Sequence, residues 1–186
     1  QLANGIDERP VVSEQEAKSI SNETTFAVDV DDPAVVREWL HALTEQVACR
    51  LRAHGLKGRT VQVKVRLADF TTLTRAQSLP AVTDITSEIW QVVRHLFERR
   101  LPRPLPALRL VGVGVSNFGD DEGQQEDLFA SPQKHTQRKL DSLLDEIHSR
   151  FGKSAVSRGK RPTEEGGLYH STGNLLLMCD RFPLSV

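Results

Sequence analysis

Residues 60–68 read Thr-Val-Gln-Val-Lys-Val-Arg-Leu-Ala, an unbroken alternation of apolar and polar side chains. In a strand, successive side chains point to opposite faces. Val61, Val63, Val65 and Leu67 therefore share one face, and Gln62, Lys64 and Arg66 share the other. A strand of this kind belongs to a sheet with one face on a core and one face open, which is comfortable when the open face is polar.

The rest of the chain supplies partners for such a sheet. Lys18 to Val30 reads as a strand, because Ile20, Thr24, Thr25, Phe26 and Val28 favour extended backbone. Asp32 and Pro33 predict an N-cap and first helical position. Val36, Leu40, Leu43, Val47 and Leu51 then recur at helical steps, and Gly55 stands where a left-handed C-terminal cap belongs. Asp69-Phe70 predicts a tight reversal into a further extended run over 71–79, closed by Pro80. A second helix is expected over 84–100, with Ile85, Ile89, Val92 and Leu96 inward. Three prolines between Leu101 and Pro106 mark a linker, and 107–118 reads as a last strand with Val111, Val113 and Val115 on one face. The order β-α-β-β-α-β predicts an α+β fold: a four-stranded sheet with two helices on one face. Pro132 to Phe151 adds a C-terminal tail helix, with Leu140, Leu143, Leu144, Ile147 and Phe151 at helical spacing, stopped by Gly152.

Charge divides the chain. Lys18 to Phe118 holds fourteen Lys/Arg against ten Asp/Glu, whereas Gly119 to Phe129 holds five acids and no base. A mildly basic body followed by an acidic tether suits an anion-binding domain with a peptide on a leash. The two cysteines, Cys49 and Cys179, lie far apart with no zinc spacing, and a reducing cytosol is the expected setting. No stretch approaches the length of a membrane span, and no signal peptide opens the chain. Gln1 stands in what reads as mid-helix sequence, so a fragment with its beginning missing is expected.

Catalytic constellations are not evident: no phosphate loop, no HExxH, no G-x-S-x-G and no metal-ligand cluster. His41, His54, His95 and His148 read as solvated helix residues, and Asp31-Asp32 as a capping pair. The open sheet face carries the more informative chemistry. Lys18, Ser19 and Ser21 open the first strand; Thr71, Thr72, Thr74 and Arg75 fill the third; Lys64 and Arg66 follow from strand geometry. Hydroxyls, Lys and Arg are the groups that hold phosphate oxygens without reading bases. Gly112 and Gly114 permit close backbone approach. Beyond the last strand, Gln125-Glu126-Asp127-Leu128-Phe129 sets two apolar anchors and an amide in an acidic stretch, the make-up of a peptide that a partner buries.

Four of these segments, in register, resemble one family. Lys-Ser-Ile-Ser-Asn-Glu-Thr-Thr-Phe at 18–26, the Asp-Phe-Thr-Thr-Leu-Thr-Arg core within 64–75, and Arg-Leu-Val-Gly-Val-Gly-Val-Ser-Asn-Phe at 109–118 are similar to the little-finger domain of Y-family DNA polymerases of the DNA polymerase IV type. Residues 125–129 resemble the family's sliding-clamp peptide in its usual place, although Glu126 stands where Leu is frequent. Residues after about 160 match nothing in that pattern. The resemblance implies residues 1–17 as the end of the thumb and a linker, 18–118 as the DNA-binding domain, 119–131 as the tether, 132–152 as a tail helix and 153–186 as irregular tail.

It further implies a bacterial, cytoplasmic, monomeric translesion polymerase whose partners are primer-template DNA and the sliding clamp, with no membrane. The implied magnesium-binding carboxylates lie in a palm outside this chain, so no metal or cofactor is expected within it, and the fragment should bind without polymerising. DNA contacts fall on Lys18, Ser19, Ser21, Thr71, Thr72, Thr74 and Arg75, with Lys64 and Arg66 added from geometry; clamp contacts fall on Gln125, Leu128 and Phe129. Two other readings stay open: a non-catalytic relative from a mutagenesis complex, and an unrelated ferredoxin-like binding module.

Overall fold

The computed structural model describes residues 17–102, 104–119, 132–152 and 155–156. Strand β1 (Ser19–Val30) leads into helix α1 (Pro33–Ala53), then β2 (Gly58–Leu67), β3 (Thr72–Thr83), α2 (Thr86–His95), β4 (Leu108–Phe118) and α3 (Pro132–Phe151). The four strands form one antiparallel sheet in the order β1-β4-β2-β3. The last strand in sequence thus lies between the first two, and α1 bridges over it.

Local chemistry sets the ends of α1. Asp32 accepts a hydrogen bond from the Ala34 N–H at 2.8 Å, and Pro33 occupies the first turn, where its missing N–H costs nothing. At the other end Gly55 has φ 63°, and the Leu56 N–H reaches back to the Leu51 carbonyl at 2.8 Å. The stripe Val36, Leu40, Leu43, Val47 and Leu51 packs over β1 and β4 and joins one buried core with Val61, Val63 and Val65 of β2 and Val111, Val113 and Val115 of β4. Ile85, Ile89, Val92 and Leu96 are likewise buried. The core is one layer between the helices and a single sheet face.

Two expectations need correction. Pro80 does not end β3, which continues to Thr83. β3 is an edge strand, and its pairing with β2 jumps from Thr60↔Ser78 to Gly58↔Thr83, so Pro80 sits in an irregular stretch where no ladder N–H is demanded of it. The helix expected over 84–100 is regular only from Thr86 to His95; Leu96–Arg100 winds as a π-helical turn. That wider turn keeps both Leu96 and Phe97 buried, at 1% exposure each, just before the proline linker.

The tail helix docks differently from its apolar pattern. Leu140, Leu143 and Phe151 are exposed. Leu144 and Ile147 are half-buried, and a polar stripe at helical spacing supplies the ion pairs to the body. Lys134 pairs with Glu88 at 3.0 Å and Arg138 with Asp84 at 3.6 Å. Asp141 lies 3.5 Å from Arg52, and Asp145 grips the same guanidinium through two contacts of 2.5 and 3.0 Å. Burial opposes the Arg52 charge, but the hydrogen bond to Asp145 and the charges of Asp145 and Asp141 more than offset it and raise its pKa.

Candidate nucleic-acid interface

The strand registers define the open face as a grid of four rows across β1, β4, β2 and β3. The rows are Ser19-Ser116-Thr60-Ser78, Ser21-Gly114-Gln62-Ala76, Glu23-Gly112-Lys64-Thr74 and Thr25-Leu110-Arg66-Thr72. Hydroxyls, small residues and glycines dominate. The charged members are Lys64, Arg66 and Glu23. No aromatic side chain stands on these rows, so an elongated polar ligand meets a shallow surface of donors.

The centre of the grid is tightly packed. A Cβ on Gly112 would stand 2.9 Å from the Cβ of Glu23, and one on Gly114 would stand 3.0 Å from Gln62 Nε2 and 3.2 Å from Ser21 Cβ. Neighbouring side chains therefore crowd the glycines, whose missing side chains leave a trough along β4. Across that trough the Lys64 ammonium meets the Glu23 carboxylate at 2.8 Å. At one end Asn117 donates to Thr60 Oγ1 at 2.8 Å, and Thr60 and Ser78 share a hydroxyl contact of 2.8 Å. In the last row Arg66 Nε donates to Thr72 Oγ1 at 3.0 Å.

The far end is closed by an ordered turn. Thr71 N–H donates to Asp69 Oδ1 at 2.8 Å, while Phe70 adopts φ 67° and remains exposed. The Arg109 guanidinium lies 4.5 Å from the Phe70 ring centroid and forms a two-pronged pair with Asp29 at 3.0 and 3.2 Å. That hydrogen bond with Asp29 raises the Arg109 pKa. Arg109 is the extra residue of β4 where it loses register with β2, a bulge of the kind that re-aims a side chain.

Of the residues picked from sequence, Ser19, Ser21, Lys64, Arg66, Thr72 and Thr74 fall on the open face, with Lys18 exposed at its corner and Thr71 exposed in the turn. Arg75 does not. It pairs with Val63, whose side chain is buried on the helix side, and its Nε donates to the Arg100 carbonyl at 3.1 Å. The signal was present: Thr74 and Arg75 are adjacent, and a period of two cannot put both on one face. Sequence reasoning did not single out Thr25, Thr60 and Ser78 as members of the grid, and missed Glu23 as the partner of Lys64. Gln125, Leu128 and Phe129 lie outside the described residues. Among the described residues, no three His, Cys, Asp or Glu side chains converge on a common metal position, and no helix is long and apolar enough to cross a membrane.

Fold and face together define a class: an α+β sheet domain, helices behind, presenting a shallow hydroxyl-rich surface. Residues 17–128 match the impB/mucB/samB family C-terminal domain, and the chain belongs to that family, the little-finger domain of Y-family polymerases. It is 42% identical over 158 residues to a DNA polymerase IV of Dehalococcoides mccartyi, which covers 85% of this chain and 40% of that relative. Over 129 residues it is 44% identical to a DNA polymerase IV of Streptomyces coelicolor, covering 69% of this chain and 26% of that one. A DNA polymerase IV of Caulobacter vibrioides is 35% identical over 159 residues, covering 86% of this chain and 39% of the relative. The chain thus spans about 40% of the length of most of these relatives. Family membership removes the unrelated ferredoxin-like module from consideration.

Proposed function

We propose that the open face holds the sugar-phosphate backbone of primer-template DNA, and that the chain is the DNA-binding and clamp-tethering C-terminal region of an error-prone translesion DNA polymerase. The observation that carries this reading is the grid itself. Lys64 and Arg66 share a face with Ser19, Ser21, Thr72 and Thr74, on which Leu110 is the one bulky apolar member of the four rows. These donors suit phosphate oxygens and carry no pattern for reading base edges. Lys18 and Thr71 extend the donor set at opposite ends, and Arg75 contributes only from behind the free edge of β3.

In the parent protein, template-directed nucleotidyl transfer past damage belongs to a palm with two magnesium ions, outside this chain. The role of this region is then to hold the duplex while the palm acts, and to link the enzyme to the sliding clamp through Gln125, Leu128 and Phe129. The relatives named DNA polymerase IV favour a polymerase over a non-catalytic homologue. A bacterial cytoplasmic monomer, inactive in primer extension without the palm, completes the reading.

The test is anisotropy of a fluorescein-labelled primer-template with this chain, between about 50 and 200 mM salt. Affinity should fall as salt rises, equally for unrelated sequences. Lys64→Ala should weaken all of them alike. Arg75→Ala should do less. Salt-independent binding, or loss confined to one sequence, contradicts backbone recognition.

A further inference from the structure

We infer that Glu23 is a built-in counter-anion of the DNA-binding face, held on Lys64 until a phosphate displaces it. The inference rests on the reading of that face as a phosphate-binding surface. Three observations carry it. Glu23 is the single carboxylate on the grid, and it stands on a row with Lys64. The ion pair spans the sheet from β1 to β2, directly above Gly112: a Cβ there would meet Glu23 Cβ at 2.9 Å and Glu23 Oε2 at 3.5 Å. Both partners remain open to solvent, with 33% of the Lys64 and 44% of the Glu23 side chain exposed, so an incoming anion reaches them.

The physical consequence is an exchange of anions. An ion pair this exposed is held weakly, because solvent screens it. A phosphodiester carries the same charge as the carboxylate and offers further oxygens to Ser21 and Thr74, on either side of the pair. When it arrives over the Gly112 trough, Lys64 changes partner and Glu23 turns out towards solvent. Glu23 therefore aims Lys64 while the face is empty and opposes the bound backbone while it is full. It lowers affinity, and it lowers the salt dependence too. A lysine already neutralised by a carboxylate changes the bound counterions less than a free one.

Glu23→Gln separates these effects. The amide keeps the size of the side chain and a carbonyl that accepts from Lys64, and removes only the charge. With the 186-residue chain and a fluorescein-labelled primer-template duplex, Glu23→Gln should tighten binding about 3- to 10-fold at about 50 mM salt and steepen the salt slope by about one. Glu98→Gln removes one negative charge from the helix side, where Glu98 pairs with Arg37 at 3.3 Å, and should change affinity less than about twofold. In a Lys64→Met background, the gain from Glu23→Gln should drop below about twofold, because the partner is gone. Unchanged or weaker binding by Glu23→Gln overturns the inference while leaving the DNA-binding face intact. An equal gain with Lys64 absent, or with Glu98→Gln, overturns it as well, since the effect is then bulk charge. Absence of salt-sensitive binding by the unaltered chain overturns the reading of the face itself, and this inference with it.

Discussion

Asp141 of α3 accepts a hydrogen bond at 3.0 Å from the backbone N–H of Thr86, the first residue of α2. The residue preceding α2 is Ile85, which has no side-chain oxygen for the exposed N–H groups of the first turn. A carboxylate 55 positions later in the chain supplies the cap that the local sequence omits. It is only 2% exposed, and Arg52 lies beside it at 3.5 Å. The tail helix and the body of the domain are thereby stapled at one polar node.

Removing that node should loosen both helices. Asp141→Ala deletes the α2 cap and one partner of Arg52, and is expected to cost about 1–2 kcal/mol in urea unfolding, the range of a lost N-cap. Asp141→Asn keeps an acceptor for the Thr86 N–H and should cost less. Hydrogen exchange is the sharper readout: amides of α3 and the first turn of α2 should exchange faster in Asp141→Ala, while those of β4 keep their protection. Unchanged α3 protection would mean that the helix is held by something other than this seam.

Among the described glycines, Gly58 is expected to be the least replaceable. A Cβ there would stand 2.1 Å from Val115 Cγ1, 3.2 Å from the Ser116 carbonyl and 3.3 Å from Phe118 Cδ1. β2 starts by passing its bare backbone against β4, so Gly58→Ala must push Val115 out of its place in the core. A loss of about 1–3 kcal/mol is expected, the usual cost of overpacking. Gly55→Ala meets no atom within 4 Å but strains a φ of 63°, so its cost should come from backbone alone and stay near 1 kcal/mol or about that. Equal thermal shifts for the two variants would contradict the packing argument.

The proposed clamp contact through Gln125, Leu128 and Phe129 has a direct test. Leu128→Ala/Phe129→Ala should abolish calorimetric binding of this chain to a bacterial sliding clamp while leaving primer-template affinity unchanged. Burying two such side chains contributes roughly 3–6 kcal/mol before ordering costs, which points to a contact of about micromolar strength at best. Equal clamp binding by both forms would show that this pair is not the anchor.

The amino-acid sequence by itself determined the faces, most of the elements and the caps of α1, because these depend on neighbours within a few residues. A period of two sorted Val61, Val63 and Val65 from Gln62, Lys64 and Arg66; helical steps picked out the stripe from Val36 to Leu51; Asp32, Pro33 and Gly55 marked the ends of α1. Tertiary structure alone decided which strand lies beside which. Glu23 and Lys64 meet because β4 separates β1 from β2 by one strand's width, and nothing within either segment encodes that order. The same holds for Pro80, harmless because β3 is an edge, and for Asp141, which finds Thr86 only after α3 has folded back. Local periodicity is fixed by backbone geometry. Pairing across the sheet and docking between helices depend on closing long loops around a shared core, and that balance is settled only by the whole fold.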